Sequence, residues 1–182
     1  MVSVRCDAEF IAKATAAGGE IVRLSDLGNA LAFALDFLKQ QDIKAVAFAP
    51  DVPLPSAGTE TWPLLKPRSR EDYLAAGAGL VRADYGVSST GTLVHLDRSA
   101  DEKIVWTLPP LCLCLLDSRR IVRDLDDISA VLSSHLSEAA FGEPQVSLVT
   151  GPSRTTDIEC RLTLGVHGPG RLVILLHDGQ AS

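Results

Sequence analysis

The sequence predicts an α/β fold, a three-layer sandwich with helices on both faces of a mostly parallel sheet and an antiparallel portion. Three observations carry this. Short apolar, strand-like runs alternate with segments whose apolar residues recur at helical spacing. The run LCLCLLD at 111–117 is apolar on both faces, as a central strand covered by helices on each side requires. The first elements come in β-α-β order, which calls for a parallel connection.

Taken in order, residues 7–17 form an Ala-rich helix ended by Gly18-Gly19, and EIVRL at 20–24 a brief strand. Ser25 or Asp26 caps LGNALAFALDFLKQQ, in which the apolar residues Leu27, Leu31, Phe33, Ala34, Leu35 and Leu38 recur at helical spacing. KAVAFA at 44–49 is the next strand. Residues 51–70 hold four prolines and one glycine, so they form a loop, long enough to act as a lid, binding loop or partner surface. Trp62 within it serves either a small satellite core or an exposed contact. Ser69 caps a helix through about Ala76, GLVRAD at 79–84 is a strand, and GTLVHLD at 91–97 follows by a tight turn, which gives the antiparallel portion. DLDDISAVLSSHLSEAAF at 124–141 reads as an amphipathic helix with aspartates in its first turns, where they suit the helix dipole. QVSLVT, a TTDIECRL helix and the strand RLVILLH complete the pattern. Neither an internal repeat nor a linker divides the chain, so residues 1–182 read as a single domain.

At 182 residues the chain is long enough to bury a core without disulfides or metal. Its 46% hydrophobic content with only 5% aromatics means that aliphatic side chains and alanine fill that core. A net charge of −6 argues against a nucleic-acid surface, and the one short basic stretch, KPRSR at 66–70, is followed at once by Glu71 and Asp72. With no signal-like start and no apolar run near the ~20 residues of a membrane span, the expected location is cytoplasmic. Cys6, Cys112, Cys114 and Cys160 are then expected as free thiols. Cys112 and Cys114 face one side of a strand, but no Cys-x-x-Cys pair accompanies them, so core packing is favoured and no metal or cofactor is expected. Dinucleotide, P-loop and nucleophile-elbow patterns are missing.

Two glycine- and hydroxyl-rich segments carry the functional reading. In ADYGVSSTGTLV, at 83–94, Gly91 permits close backbone approach while Thr90 and Thr92 offer hydroxyls to an anion, or else the residues simply close a hairpin. In the second segment Gly151 and Pro152 end a strand. Ser153 or Thr155 then caps a helix whose free amides, with Arg154, Thr156 and Asp157, cradle a carboxylate or phosphate, or merely start the helix. His167, in the loop before the last strand, is either a general acid or base or a structural histidine. His95, His135 and His177 lack partners at metal spacing and read as structural or exposed. Ligands in open α/β sheets gather outside the carboxyl ends of strands, which places both segments there.

The motifs STGT before an apolar strand, GPSRTTDIE, and GVHGP before the terminal strand resemble the lactate-utilisation protein C group, the LUD domain. The resemblance runs from about residue 79 to about 178. It implies a Rossmann-like fold similar to the sugar-phosphate isomerases and CoA-transferases. It also implies a non-redox subunit or accessory protein of a bacterial L-lactate oxidation system, with the iron–sulfur chemistry in separate partner subunits and a site for an anion or small carboxylate. Many relatives carry an acidic residue or Asn where this chain has Ser89. The rival readings are a free-standing enzyme acting on a small phosphorylated or carboxylated metabolite, and a small-ligand sensor.

Overall fold

The first structural feature of note is how little of the central strands reaches water. In β6 (Leu111–Asp117) every residue but the last is buried, and in β11 (Arg171–His177) every residue but the first. The computed structural model describes residues 4–54, 62–63, 70–97, 99–137, 145–156, 162–164 and 168–179. Around these two strands a parallel five-stranded sheet runs β1 (Glu20–Leu24), β11, β6, β3 (Ala78–Arg82) and β2 (Val46–Phe48). Side chains of both parities along β6 and β11 are buried, so both faces are covered, as the unbroken apolar runs demand.

Helix α2 (Leu27–Gln40) shows why its segment folds as expected. Asp26 accepts a hydrogen bond from the Asn29 amide at 2.8 Å, and Ala30, Leu31, Ala34 and Leu38 are buried along one stripe against β1, β11 and β6. Helix α1 (Val4–Ala16) buries Phe10 and Ala14, and its end is closed by Gly18, at φ +93°. The helix expected at 69–76 is α3 (Arg70–Ala75). Helix α4 (Ala100–Thr107), which periodicity alone does not announce, is capped by Ser99 and packs on β3 and β2. Trp62 is buried and packs edge-on against Phe48, ring centroids 5.8 Å apart, which settles it as core; the rest of its loop lies mainly outside the described residues.

The antiparallel portion lies in a separate four-stranded sheet in the order β7 (Ile121–Val122), β4 (Tyr85–Val87), β5 (Thr92–Asp97), β8 (Gln145–Val149), in which β4–β5 and β5–β8 pair antiparallel and β7 joins β4 in parallel. GLVRAD therefore does not pair with GTLVHLD. It stays in the parallel sheet, the chain crosses to the second sheet at Ala83–Asp84, and the three-residue β4 is the hairpin partner of β5. Of the helix expected over 124–141, the described part is a 3-10 turn at Leu125–Ile128 and α5 (Ser129–Ser137), none of whose residues is buried; residues 138–141 lie outside the described residues. One face of the second sheet meets this layer through Val87, Val94 and Ile128, and Leu93 on the other face joins the main core.

The described ends of the segment expected as the TTDIECRL helix are extended, while residues 157–161 lie outside the described residues. Arg154–Thr156 is strand β9, paired antiparallel with β10 (Leu162–Leu164). Two adjacent β-branched threonines favour extended backbone, and they find LTL as a partner, so local helix caps lose to strand pairing.

Candidate functional site

The hydroxyl-rich turn between β4 and β5 and the segment after β8 do come together. Thr92 opens β5, and Thr150 follows β8 directly beside it because Leu93 pairs with Val149. Their hydroxyls share a hydrogen bond at 2.6 Å, and Thr90 joins Thr92 at 2.7 Å, so three threonines form one continuous row. Thr92 is 7% exposed, and its hydroxyl is oriented from both sides.

The turn that holds this row is itself held. The Gly91 amide donates to the Val87 carbonyl, the Ser88 and Ser89 amides donate to the carbonyls of Val122 and Arg123, and the buried Ser88 hydroxyl donates to Glu9 on α1. The close approach allowed by Gly91 is to protein. At φ +70° a Cβ there would lie 2.3 Å from the Ala14 nitrogen of α1. Gly151, at φ +80°, meets the Ala17 carbonyl oxygen in the same way, also at 2.3 Å. Both glycines seat their loops on the end of α1.

Beyond Gly151 the Ser153 amide donates to the Pro169 carbonyl at 2.8 Å, and Gly168 packs against the Ser153 side chain. The STGT turn, the GPSRTT segment and the glycine-proline corner before β11 are thus joined end to end. The free helix amides expected at Ser153 are not formed, because that amide is spent on Pro169 and the chain continues as β9. Arg154, Thr155 and Thr156 lie on β9, while Asp157 and His167 lie outside the described residues.

A cleft of about 380 Å³ opens at the row. Its lining includes the hydroxyl residues Ser89, Thr90, Thr92 and Thr150, the apolar Val87, Leu125 and Leu148, and the carboxylates of Asp124 and Asp126. Among the described residues the lining contains no cation. The cleft sits on the second sheet beside the 3-10 turn, whereas the carboxyl ends of the parallel strands are at Leu24, Phe48, Arg82, Asp117 and His177. At that edge the described polar groups answer one another. Ser118 donates to Asp178 at 2.7 Å, Arg23 pairs with Asp7 and Asp178, and Arg119 grips Asp117 with two nitrogens. His177 shares its Nδ1 with the Gly179 backbone, and burial pushes its pKa down.

Cys112 and Cys114 are buried core residues. Burial pushes the Cys112 thiol up to about 12 and raises Cys114 as well, and among the described residues no group of His, Cys, Asp or Glu is arranged to hold a metal ion. Cys160 lies outside the described residues.

A second polar centre escapes any reading from spacing. His95, on β5, is 0% exposed, with Asp84 Oδ2 3.4 Å from Nδ1, and Asp97 Oδ1 and Glu102 Oε2 at 3.6 and 3.3 Å from Nε2. The tilted Trp106 ring lies 5.3 Å away, centroid to centroid. Alternation along β5 puts Leu93, His95 and Asp97 on the face opposite Thr92 and Val94, so His95 does not look into the cleft. Of the signals that might have found it, only Asp97, two residues on along the same strand face, was local.

A family model described as LUD domain matches residues 8–177. An uncharacterized protein of Neisseria meningitidis serogroup B is 31% identical over 138 residues, 76% of this chain and 52% of that protein. Lactate utilization protein C of Halalkalibacterium halodurans is 34% identical over 108 residues, covering 58% of this chain and 46% of its own length. That of Bacillus subtilis is 25% identical over 125 residues, covering 67% and 52%. The chain spans about half the length of the curated relatives it matches. The crystal structure of a DUF162 family protein from Deinococcus radiodurans superposes with a TM-score of 0.70 at 18% identity, over 97% of this chain and 99% of that one, which shows the shared α/β fold.

Proposed function

The chain belongs to the LUD-domain family, and from that premise we propose that it serves lactate utilisation as a non-redox subunit or accessory protein that holds a small carboxylate beside iron–sulfur partner proteins. Relatives named lactate utilization protein C support the physiological setting. The observation that carries the reading is the threonine row Thr90–Thr92–Thr150, which joins two motifs 58 residues apart in an open cleft. A 2-hydroxy or 2-oxo acid offers an oxygen for these hydroxyls to recognise. Its charge calls for a cation, which the cleft lining described above does not supply, and Arg154, four residues beyond Thr150, is the residue we assign to it. Gly151, Ser153, Thr155, Thr156 and Asp157 would shape the same corner, with His167 as acid, base or donor.

The test is a melting curve of the purified protein with L-lactate, pyruvate or inorganic phosphate. A ligand at one hundred times its Kd adds about 2.7 kcal/mol, which moves Tm by roughly 5–10 °C in a domain of this size. Thr92→Val and Arg154→Ala should each abolish most of that shift. A full shift in Arg154→Ala overturns the assignment of the charge, and the lack of any shift with all three anions overturns the carboxylate site. Anaerobic purification from the native host tests the partner claim separately, since copurifying iron–sulfur proteins are its expected outcome. Turnover of a metabolite by the isolated chain would instead favour a free-standing enzyme.

A further inference from the structure

The His95 centre is independent of the cleft and has a logic of its own. A neutral imidazole carries one N–H donor and one acceptor nitrogen. Here both nitrogens face carboxylate oxygens, Asp84 on one side and Asp97 with Glu102 on the other, so a neutral ring must turn a lone pair toward an anion whichever tautomer it takes. An imidazolium presents N–H groups to both sides. Asp97 and Glu102 are 6% and 4% exposed, so the imidazolium sets its positive charge against two buried carboxylates, and a neutral ring would give up that attraction.

The three carboxylates come from three places in the fold. Asp84 sits where the chain crosses from the parallel sheet to the second sheet, and its Oδ2 also accepts the Leu96 amide at 2.8 Å. Asp97 ends β5 and accepts from the Ser147 hydroxyl of β8 at 2.6 Å. Glu102 is in the first turn of α4, whose next turn supplies Trp106. We propose that His95 is a buried imidazolium acting as a proton-operated latch, which fastens α4 and the sheet-crossing turn at Asp84 onto β5 and lets α4 loosen when the proton leaves.

The remaining groups that face the latch agree in sign. Burial pushes the His95 pKa down, but Asp84, Asp97 and Asp51 push it up and prevail. Cys114, on β6, feels Asp51 and Asp84, and its thiol is pushed well up and stays uncharged. On the outer side of α4, Lys103 donates to Gln145 of β8, a contact that does not depend on His95.

The experiment uses the full chain with 15N-labelled histidine. Ring nitrogen shifts of His95, assigned with His95→Gln, are followed from pH 5.5 to 10 beside amide hydrogen exchange and Trp106 emission in a Trp62→Phe background. The expected result is an imidazolium at pH 7 that titrates above the ordinary value near 6.5. Above its pKa the protonated fraction falls about tenfold per pH unit. The protection factors of α4 amides, corrected for intrinsic exchange, should therefore fall by up to about tenfold per unit while those of β11 hold. Trp106 emission should change with the same midpoint. Glu102→Gln should lower that midpoint. A neutral His95 ring at pH 7, or α4 protection that falls no faster than that of β11, overturns the proposal. The wild-type titration decides it even if His95→Gln does not fold.

Discussion

Replacing Gly91 with alanine tests why the STGT turn needs its glycine. At φ +70° an L-residue pays about 1–2 kcal/mol for the left-handed backbone. The new Cβ would also lie 2.3 Å from the Ala14 nitrogen and 2.6 Å from the Lys13 carbonyl carbon, both backbone atoms of α1 that no side-chain rotation can clear. Moving a packed helix end by the roughly 1 Å needed to reach ordinary contact costs a further ~1–3 kcal/mol, the usual range for overpacking. The sum, about 2–5 kcal/mol, should lower Tm by roughly 4–20 °C at 2–4 °C per kcal/mol. At a site with ordinary φ and open space the same change stabilises by about 0.4–1 kcal/mol, so the sign alone is diagnostic. Thermal and urea denaturation followed by circular dichroism measure it. Gly151→Ala should behave alike, since its Cβ would meet the Ala17 oxygen at the same helix end. If both act by displacing the end of α1, the double variant should lose less than the sum, by about 0.5 kcal/mol or more. A Gly91→Ala protein as stable as the wild type would refute the packing argument, and strict additivity would reduce it to backbone strain alone.

Stability should also depend on pH with a sign fixed by each group. Arg171 holds the Glu20 carboxyl below its usual range, so the contribution of that pair is present above the unfolded value near 4.3 and disappears as pH falls through the folded one. Glu20→Gln should flatten the acid limb of a stability–pH curve by about 0.2–1 kcal/mol, as for an exposed pair, and a wild-type slope there would show that the pair contributes nothing. His95 is raised, so its contribution is full below about 6.5 and is lost as pH rises through its folded pKa. His95→Gln should flatten the alkaline limb, whereas His177, pushed down by burial, costs stability as pH drops through about 6.5. Thiol labelling with mass-spectrometric mapping should modify the half-buried Cys6 in the native protein and spare Cys112 and Cys114 until the chain unfolds; native labelling of either buried thiol would contradict their place in the core.

What could be read from the sequence divides along the line between local and tertiary causes. β6, β11 and α2 were legible because their burial pattern is written in consecutive residues, LCLCLLD, RLVILL and the stripe Leu31–Ala34–Leu38. β4 and β7, three and two residues long, become strands only through each other and β5, so no window of sequence announces them. α4 had a usable signal in Ser99 with Asp101 and Glu102 behind it, a cap followed by an acidic first turn. The GPSRTT segment was misread because hydroxyls that cap helices also suit strands, and the partner that decides between them, LTL at 162–164, is supplied from further along the chain. His95 stayed hidden because Asp84, Asp97 and Glu102 come from a sheet crossing, a strand and a helix.

The same division bears on which residues of the hydroxyl-rich motif carry function. Gly91 and Gly151 have a sufficient structural cause, since each is pressed against the end of α1 and each needs a positive φ to get there. A requirement for glycine at these positions would therefore arise with or without a ligand. The threonines are different. A core could satisfy the strand position of Thr92 with valine, which is isosteric and needs no partner, yet Thr92 keeps a hydroxyl at 7% exposure between those of Thr90 and Thr150 at the mouth of an open cleft. Three hydroxyls hydrogen-bonded in series also leave donor and acceptor capacity at their ends, because each hydroxyl offers one hydrogen and two lone pairs. The functional weight of the motif thus falls on Thr90, Thr92 and Thr150, and the variant that separates binding from folding is Thr92→Val rather than any change at the glycines.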